Sequence, residues 1–257
     1  MSLRTFLEDI YIKRVLKNIK YHPTHVALIQ DGNRRYAKKH GESTSYGHRA
    51  GAENTIRVLE WMGKLDIKHV TFYAFSTENF KRDKEEINEL LKLFIEKFSE
   101  MLNDKRIYEN KINVSIIGDR NLIQPELVRM IDKIEDATKD HDRYYVHFAL
   151  AYGGRNEIVE TAKRVVECVR EKKITPDDID SDLITKMMYP KVIMPPVDLI
   201  IRTGNDKRTS NFLPWLANGN EAAVYFCAPT WPEFRYIDMV RALRVYDQRT
   251  EQKLFSA

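Results

Sequence analysis

The 257 residues carry 43% hydrophobic side chains and a net charge of only +4, from 42 basic and 38 acidic residues. This apolar content supports a folded core and excludes global disorder, and the mild charge argues against a nucleic-acid binder. Cys168 and Cys227 are far apart and in no metal-binding spacing, so we expect two buried thiols in a reducing compartment. No apolar run approaches the roughly 20 residues that span a bilayer.

Residues 3–20 are predicted to form a helix with apolar side chains on one face and basic side chains opposite. Two interpretations fit this pattern: a basic helix that touches a membrane surface, or a helix packed on the domain with its basic face in water, which we favour. Charges interrupt the segment throughout, which is unlike a secretory signal peptide. We therefore expect a cytoplasmic protein, with peripheral contact to a membrane as an alternative.

The stretch HVALIQDGNRRY, residues 25–36, joins a short apolar run to a charged turn. The run predicts a buried strand, and the turn leads into a helix that begins near Arg34. Gly32 would let the backbone approach a ligand, and Arg34 and Arg35 would donate charge-assisted hydrogen bonds to an anion. Asp31 would repel a bare phosphate but suits Mg2+, which bridges to phosphate oxygens. A lone Asp-Gly pair would be an ordinary turn, so its interpretation depends on its neighbours in the fold.

Further strands and helices alternate along the chain. The predicted elements are a polar loop at 41–46, a helix at 52–64, a strand at 69–75, a helix at 84–103, a strand at 114–118, a helix at 125–139, a strand at 144–151, helices at 157–172 and 177–188, strands at 198–202 and 223–227, and a helix at 237–253. This alternation predicts βαβ units and a mostly parallel sheet, hence an α/β protein. No repeat or linker divides the chain, so we expect a single domain over residues 1–257.

Charged segments follow three of the predicted strands, at residues 31–35, 76–82 and 202–210. Parallel sheets bind ligands at the carboxyl ends of their strands, so these segments should meet at one edge. Five arginines would gather there around Asp31, namely Arg34, Arg35, Arg82, Arg202 and Arg208. Because one monophosphate would leave several of them unpaired, two polyanionic groups fit better. The sequence has neither a Walker motif nor GxGxxG, so nucleotide binding has no direct support.

Five motifs stand in order along the chain: HVALIQDGNRRYA, GHRAG, YAFSTENFKR, DLIIRTGNDKRTSNFLPW and WPEF. In this order they resemble the cis-prenyltransferases, the undecaprenyl and dehydrodolichyl diphosphate synthase family. The resemblance covers residues 22–250, which would form the catalytic core after an N-terminal helix at 1–22. It implies a parallel six-stranded sheet surrounded by helices, with an apolar tunnel. It also implies a homodimeric, Mg2+-dependent enzyme that condenses isopentenyl diphosphate with an allylic prenyl diphosphate to a (Z)-polyprenyl diphosphate.

The resemblance also assigns roles to individual residues. Asp31 matches the essential aspartate, which works with Mg2+ on the allylic diphosphate, and Glu221 matches a glutamate that helps place the metal. His48, Ser76 and Asn79 match polar positions near the reacting centre. The diphosphates would be held by the remaining matches, which are Gly32, Asn33 and Arg35 for the allylic one, Arg82 between the two, and Arg202, Arg208 and Ser210 for isopentenyl diphosphate. Small Ala74 resembles the residue that leaves the tunnel open in long-chain members, or it is an ordinary strand residue.

Three departures from the family pattern leave alternatives open. Thr44 stands where many members have an arginine, the segment after SNFL reads Pro-Trp-Leu, and the last seven residues contain no R-x-G motif. A missing R-x-G is seen in catalytic subunits that depend on a second, different subunit. Altered phosphate contacts occur in relatives that make irregular, non-head-to-tail couplings. A non-catalytic partner subunit is disfavoured, because Asp31 is present.

Overall fold

The computed structural model describes residues 3–217 and 222–256. The strands in these ranges are His25–Ile29 (β1), His69–Ser76 (β2), Ile112–Ile117 (β3), Tyr144–Tyr152 (β4), Leu199–Arg202 (β5) and Ala223–Phe226 (β6). These six described strands form one sheet in the order β3-β4-β2-β1-β5-β6, and each neighbouring pair is parallel. The expected fold class, a parallel sheet surrounded by helices, is confirmed.

Helices connect the strands and cover both faces of the sheet. Their bounds are Leu3–Asn18 (α1), Asn33–Lys39 (α2), Thr44–Lys64 (α3), Lys84–Asn103 (α4), Lys105–Glu109 (α5), Pro125–Thr138 (α6), Gly154–Arg170 (α7), Ser181–Met188 (α8) and Tyr236–Ser256 (α9). Helix α4 packs its apolar side inward, with Ile87, Leu90 and Phe98 buried. No helix in the described ranges is long and apolar enough to cross a membrane.

Helix α3 begins earlier than expected. The sequence predicts a loop at 41–46 and a helix from residue 52, but Thr44 already opens the helix, after Ser43 accepts a hydrogen bond from the Tyr46 amide at 3.3 Å. The GHRAG motif therefore lies within a helix. A Cβ on Gly51 would lie 2.6 Å from Asn33 Oδ1, so this glycine allows α3 to approach α2 closely. The predicted loop at 41–46 is therefore wrong for residues 44–46, which belong to the helix.

The N-terminal helix α1 packs against α9. Arg235 pairs with Glu8 at 2.9 Å, and the backbone amides of Lys20 and Tyr21 donate to Asp247 at 2.9 Å. The opposite side of α1 remains exposed and carries large apolar side chains followed by basic ones. These residues are Leu3, Phe6, Leu7, Ile10, Arg14 and Lys17. The interpretation of α1 as a helix packed on the domain is thus supported for one face. The opposite face carries a second, exposed apolar stripe that the sequence analysis did not indicate.

Three buried histidines lie side by side across neighbouring strands, remote from the charged edge. Their ring centroids are 5.9 Å apart for His25 and His69, 5.9 Å for His25 and His147, and 5.7 Å for His69 and His147. His25 contacts Thr71 at 2.7 Å and the Pro195 carbonyl at 2.8 Å. Burial lowers the pKa of His25 and of His69 to about 4, so these imidazoles are neutral near pH 7.

Candidate active site

Asp31 lies directly beyond the carboxyl end of β1, in a backbone position fixed from two sides. Its amide donates to Thr203 Oγ1 at 3.0 Å, and its carbonyl accepts the Trp231 amide at 2.9 Å. The next residue, Gly32, has φ 108°, and a Cβ there would lie 2.7 Å from Thr230 Cβ. This turn therefore requires glycine, and it directs the Asp31 side chain into the cavity.

Two arginines hold the Asp31 carboxylate. Arg35 Nη2 lies 2.9 Å from Oδ1, and Arg202 Nη2 lies 2.8 Å from Oδ2. Arg35 is fixed further because its Nη1 donates to the Gly204 carbonyl at 2.6 Å. Arg202, the last residue of β5, is only 4% exposed. The sequence prediction that arginines from distant segments meet around Asp31 is fulfilled for these two. They form the first cluster of basic groups, a candidate anion subsite.

A second cluster of basic groups surrounds the loop after β5. Arg202 Nη1 donates to Ser210 Oγ and to the Arg208 carbonyl, the latter at 2.6 Å. Asp206 accepts from both guanidinium groups, at 2.9 Å from Arg202 and 3.0 Å from Arg208. The buried Arg202 Nε has no hydrogen-bond partner in the described part of the chain, so one donor remains available to a ligand. Sequence reasoning missed Asp206, although it named the segment that contains it.

Glu86 organises the third group of site residues. Its Oε1 lies 3.2 Å from His48 Nε2, 3.0 Å from Arg82 Nη1 and 3.8 Å from Arg34 Nε. Burial lowers the pKa of His48, and the arginines add to this effect while Glu86 opposes it. A neutral imidazole next to a carboxylate carries its proton on Nε2 and leaves Nδ1 as an acceptor. Sequence reasoning missed Glu86; its only signal was its place in the first turn of α4, four residues after Arg82.

Amide side chains complete the walls around these charges. Asn79 Oδ1 accepts the Ser76 amide at 3.0 Å, and the two residues form a capping box on the turn after β2. Asn33 Oδ1 is buried and has no hydrogen-bond partner among the described residues. A buried acceptor without a partner is costly, so Asn33 is suited to receive a hydrogen bond from a ligand.

A cavity of 1940 Å³ opens at these residues and continues along the sheet under α3 and α4. Its middle section is apolar. The side chains there are Ile56, Leu59, Val70, Ala74, Leu90, Leu93, Phe94, Phe98, Val146 and Phe148. The position of Ala74 in this wall supports the open-tunnel interpretation of that residue. The cavity provides space for a long hydrocarbon next to the charged edge.

Charged side chains line the far end of this cavity, remote from Asp31. Arg106 on α5 donates to Asp104 at 2.7 Å and to Glu60, at the end of α3, also at 2.7 Å. Nearer the entrance, Arg49 pairs with Glu96 at 2.8 Å, which also ties α3 to α4. The two helices that form the outer wall are thus joined at the surface by ion pairs.

Every site residue predicted within the described ranges lies on this one cavity. The set comprises Asp31, Gly32, Asn33, Arg34, Arg35, His48, Ser76, Asn79, Arg82, Arg202, Arg208 and Ser210. Glu221 lies outside the described residues, so the structure says nothing about its predicted role. The described ranges contain no group of three or more His, Cys, Asp or Glu side chains that could hold a metal ion.

Two arginine clusters beside a long apolar cavity suit substrates that join diphosphate groups to hydrocarbon chains. The family model for undecaprenyl diphosphate synthase, of the prenyltransferases, matches residues 29–253. The chain belongs to this family, and it is a prenyltransferase. The resemblance seen in the sequence is thereby confirmed.

Curated relatives and solved structures agree with this membership. A tritrans,polycis-undecaprenyl-diphosphate synthase (geranylgeranyl-diphosphate specific) of Methanosarcina mazei is 49% identical over 98% of this chain and 87% of that protein. Its namesake from Methanocaldococcus jannaschii is 44% identical over 88% of this chain and 81% of that protein. The crystal structure of lavandulyl diphosphate synthase from Lavandula x intermedia, in complex with dimethylallyl diphosphate, matches with a TM-score of 0.82. It is 31% identical and covers 88% of this chain and 95% of that one.

Proposed function

We propose that this prenyltransferase lengthens geranylgeranyl diphosphate by successive cis condensations with isopentenyl diphosphate. The observation that carries the proposal is the meeting of two anion subsites at Arg202, beside a cavity of 1940 Å³. The named specificity of the relatives for geranylgeranyl diphosphate supports the choice of primer. The allylic diphosphate would bind near Asp31 and Arg35, and isopentenyl diphosphate near Arg208 and Ser210.

The reaction begins when the allylic carbon–oxygen bond breaks and its electron pair leaves with the diphosphate. Arg35 and Arg82 would stabilise the charge that develops on this leaving group. The double bond of isopentenyl diphosphate then attacks the allylic cation. Arg208 would assist this step chiefly by holding isopentenyl diphosphate in the right orientation. A base then takes a proton, which restores a double bond; the released diphosphate or the His48 and Asn79 group would accept it. The apolar side chains of the cavity keep water from the cation and receive the growing chain.

Asp31 suits a Mg2+ ion that also contacts substrate phosphate. Mg2+ is commonly held by one or two carboxylates together with phosphate oxygens and water, so a single aspartate suffices on the protein side. Asp31 lines the cavity, and its two oxygens already contact cationic groups. Bound there, Mg2+ would neutralise charge on the diphosphate. Asp31 would hold it, and we retain Glu221 as a proposed second ligand.

Turnover by the purified protein alone tests this proposal. The incubation contains Mg2+, radiolabelled isopentenyl diphosphate and one allylic diphosphate of a series from dimethylallyl to geranylgeranyl, with products sized by mass spectrometry. We expect a ladder spaced by one isoprene unit, most efficient from the geranylgeranyl primer, and loss of all products with EDTA. Absence of products with every primer would contradict a self-sufficient enzyme and favour a missing second subunit.

A single coupling product would instead favour irregular condensation, for which the similarity to lavandulyl diphosphate synthase is the supporting observation. The cavity argues for elongation, because its apolar section continues past Phe98 to α5, well beyond the charged edge. One small coupled product would leave most of this space unused. The assay distinguishes the two outcomes directly, since only elongation produces a ladder.

We further propose that two copies of the chain associate. Helix α7 exposes apolar side chains along one side, with Ile158 37%, Val159 50% and Val166 58% exposed. A second copy would cover this stripe, because an exposed apolar row on a folded surface indicates an interface. Light scattering should give twice the chain mass, and Val166→Glu should shift it toward the monomer. A wild-type mass of one chain would contradict the dimer.

Peripheral contact with a membrane is proposed for the exposed side of α1. Leu3, Phe6 and Leu7 would enter the interface, while Arg14 and Lys17, further along the same side, would face anionic headgroups. Sedimentation with vesicles of anionic phospholipid tests this. We expect binding that salt weakens and that Phe6→Ser with Leu7→Ser abolishes. Equal binding by this variant would exclude α1 as the contact.

A further inference from the structure

Asp206 occupies the arginine groups that the proposed isopentenyl diphosphate subsite needs. Its Oδ2 lies 2.9 Å from Arg202 Nη2 and 3.0 Å from Arg208 Nη2. A diphosphate that binds both guanidinium groups therefore has to compete with this carboxylate. The Asp206 side chain is 40% exposed and lies on the loop after β5. It can therefore move into solvent when a ligand takes its place on the arginines.

Arg202 connects Asp206 with the first subsite. The same nitrogen that donates to Asp206 also donates to Asp31 Oδ2 at 2.8 Å. Two carboxylates thus share one guanidinium nitrogen at the boundary between the two anion subsites. Arg202 is almost fully buried and fixed by Ser210, so it stays in place while anions on either side of it exchange.

The stoichiometry of the reaction requires such an exchange. In each condensation C1 of the allylic substrate bonds to C4 of isopentenyl diphosphate, and the allylic carbon–oxygen bond breaks with its electron pair on the diphosphate. A base, either the released diphosphate or the His48 and Asn79 group, takes a proton from C2 of the isopentenyl unit. The group released is the allylic diphosphate. The lengthened product keeps the diphosphate that entered with isopentenyl diphosphate, next to Arg202 and Arg208. Before the next condensation, that diphosphate has to leave these arginines and reach the Asp31 subsite.

We propose that Asp206 releases the product's diphosphate from Arg202 and Arg208 by returning to both guanidinium groups. This inference rests on the function proposed above. Asp206 is a positioning residue, because it acts through the arginines and touches no reacting carbon. Its return compensates the charge of the arginines as the diphosphate departs, so the transfer leaves no buried guanidinium without a partner. The same competition weakens the binding of isopentenyl diphosphate.

The kinetic test compares Asp206→Asn, which removes the charge at constant size, with Asp206→Glu, which retains it. For the asparagine variant we expect KM for isopentenyl diphosphate to fall about threefold to tenfold and kcat for repeated condensation to fall by a similar factor. The first condensation, measured in a single turnover, should keep the wild-type rate. Products with one or two added units should accumulate on the enzyme. The glutamate variant should restore kcat, KM and product length.

A binding measurement keeps this inference separate from the proposed function. Titration calorimetry with inorganic diphosphate, without turnover, should show binding tightened by the same factor in Asp206→Asn. The matched control is Asp132→Asn. Asp132 is an exposed residue of α6 that pairs with Arg120 at 2.7 Å, so its replacement should change neither the kinetics nor the binding of diphosphate. Unchanged or weaker diphosphate binding by Asp206→Asn would overturn the inference, even with an active wild type. An inactive wild type whose variant still binds diphosphate more tightly would refute the proposed function alone.

Discussion

Arg202, at the end of β5, forms an ion pair with Asp31, just beyond the neighbouring strand β1. Arg202 Nη2 lies 2.8 Å from Asp31 Oδ2. Arg202 is in register with Ile29 of β1, the last paired residue of that strand. Asp31 follows two residues later, so the ion pair forms at the end of the sheet. The contact links the two proposed anion subsites and holds the carboxylate in place.

Asp31→Ala is expected to lower kcat by about 10³-fold or more, because it removes the proposed metal ligand and the partner of two arginines. The fold should persist, since the Asp31 backbone contacts are retained. Product formation from labelled isopentenyl diphosphate measures the first effect and circular dichroism the second. Asp132→Ala serves as a surface control. Wild-type turnover by Asp31→Ala would refute the site assignment.

Glu86→Gln is expected to lower kcat by about tenfold to a hundredfold, because His48 and Arg82 lose their shared anionic partner while all three side chains remain half-buried or buried. The measurement is steady-state kinetics with both substrates varied. Glu89→Gln, on the exposed side of the same helix, should behave as wild type. Equal kinetics for both variants would show that the Glu86 cluster has no part in turnover.

Two glycines of α3 allow the close contact between α2 and α3 to be tested, because only one of them faces α2. Gly51→Ala would place a Cβ 2.6 Å from Asn33 Oδ1, so we expect a raised KM for the allylic substrate and a lower melting temperature. A Cβ on Gly63 meets no atom within 4 Å, so Gly63→Ala should stabilise the protein by about 0.5–1 kcal/mol. Thermal unfolding and kinetics of both variants check this. Similar behaviour of the two would contradict the close helix contact.

Ala74→Leu is expected to shorten the products by several isoprene units, because the added side chain would project into the apolar section of the cavity. The first condensation should proceed at the wild-type rate, since the charged edge is unchanged. Mass spectrometry of the products after long incubation gives the answer. An unaltered product length would mean that the chain does not pass Ala74.

The buried histidines predict loss of stability in mild acid. The pKa of His25 is about 4 in the folded protein and near 6.5 when unfolded, so the unfolded state binds more protons between these values. The stability is fully present above pH 6.5 and is lost as the pH falls toward 4, by about 3 kcal/mol for this histidine alone. Urea unfolding at several pH values measures it. His69→Phe, which keeps an aromatic ring on Tyr145, should reduce the slope; an unchanged slope would contradict the assignment.

The sequence predicted the fold well where an apolar run ends in a polar segment. The strands β1, β2 and β5 each close in this way, and the shared edge of a parallel sheet then brings Asp31 and Arg202 together. It failed at the start of α3, because glycines that permit close helix packing have the same local pattern as glycines in a loop. Only the structure distinguishes the two, by showing Asn33 against Gly51.

Glu86 and Asp206 could not be found from the sequence. A glutamate in the first turn of a helix and an aspartate in a polar loop are ordinary surface residues by pattern. Their importance arises from the arginines that surround each carboxylate only after folding, Arg34 and Arg82 around Glu86 and Arg202 and Arg208 around Asp206. The basic side chains and Asp31 were recognisable in the motifs, whereas these two further carboxylates were not.

The ion pairs between α3 and the helices beside it have a consequence for product length. A salt such as sulfate strengthens the burial of a hydrocarbon between the apolar walls of the cavity, and any salt weakens the exposed contact of Arg106 with Glu60 at the far end. Both effects favour a longer hydrocarbon chain in the cavity. An enzyme with such a boundary would make longer lipids in concentrated salt than in dilute buffer, so the ionic composition of its surroundings would help to set the length of its product.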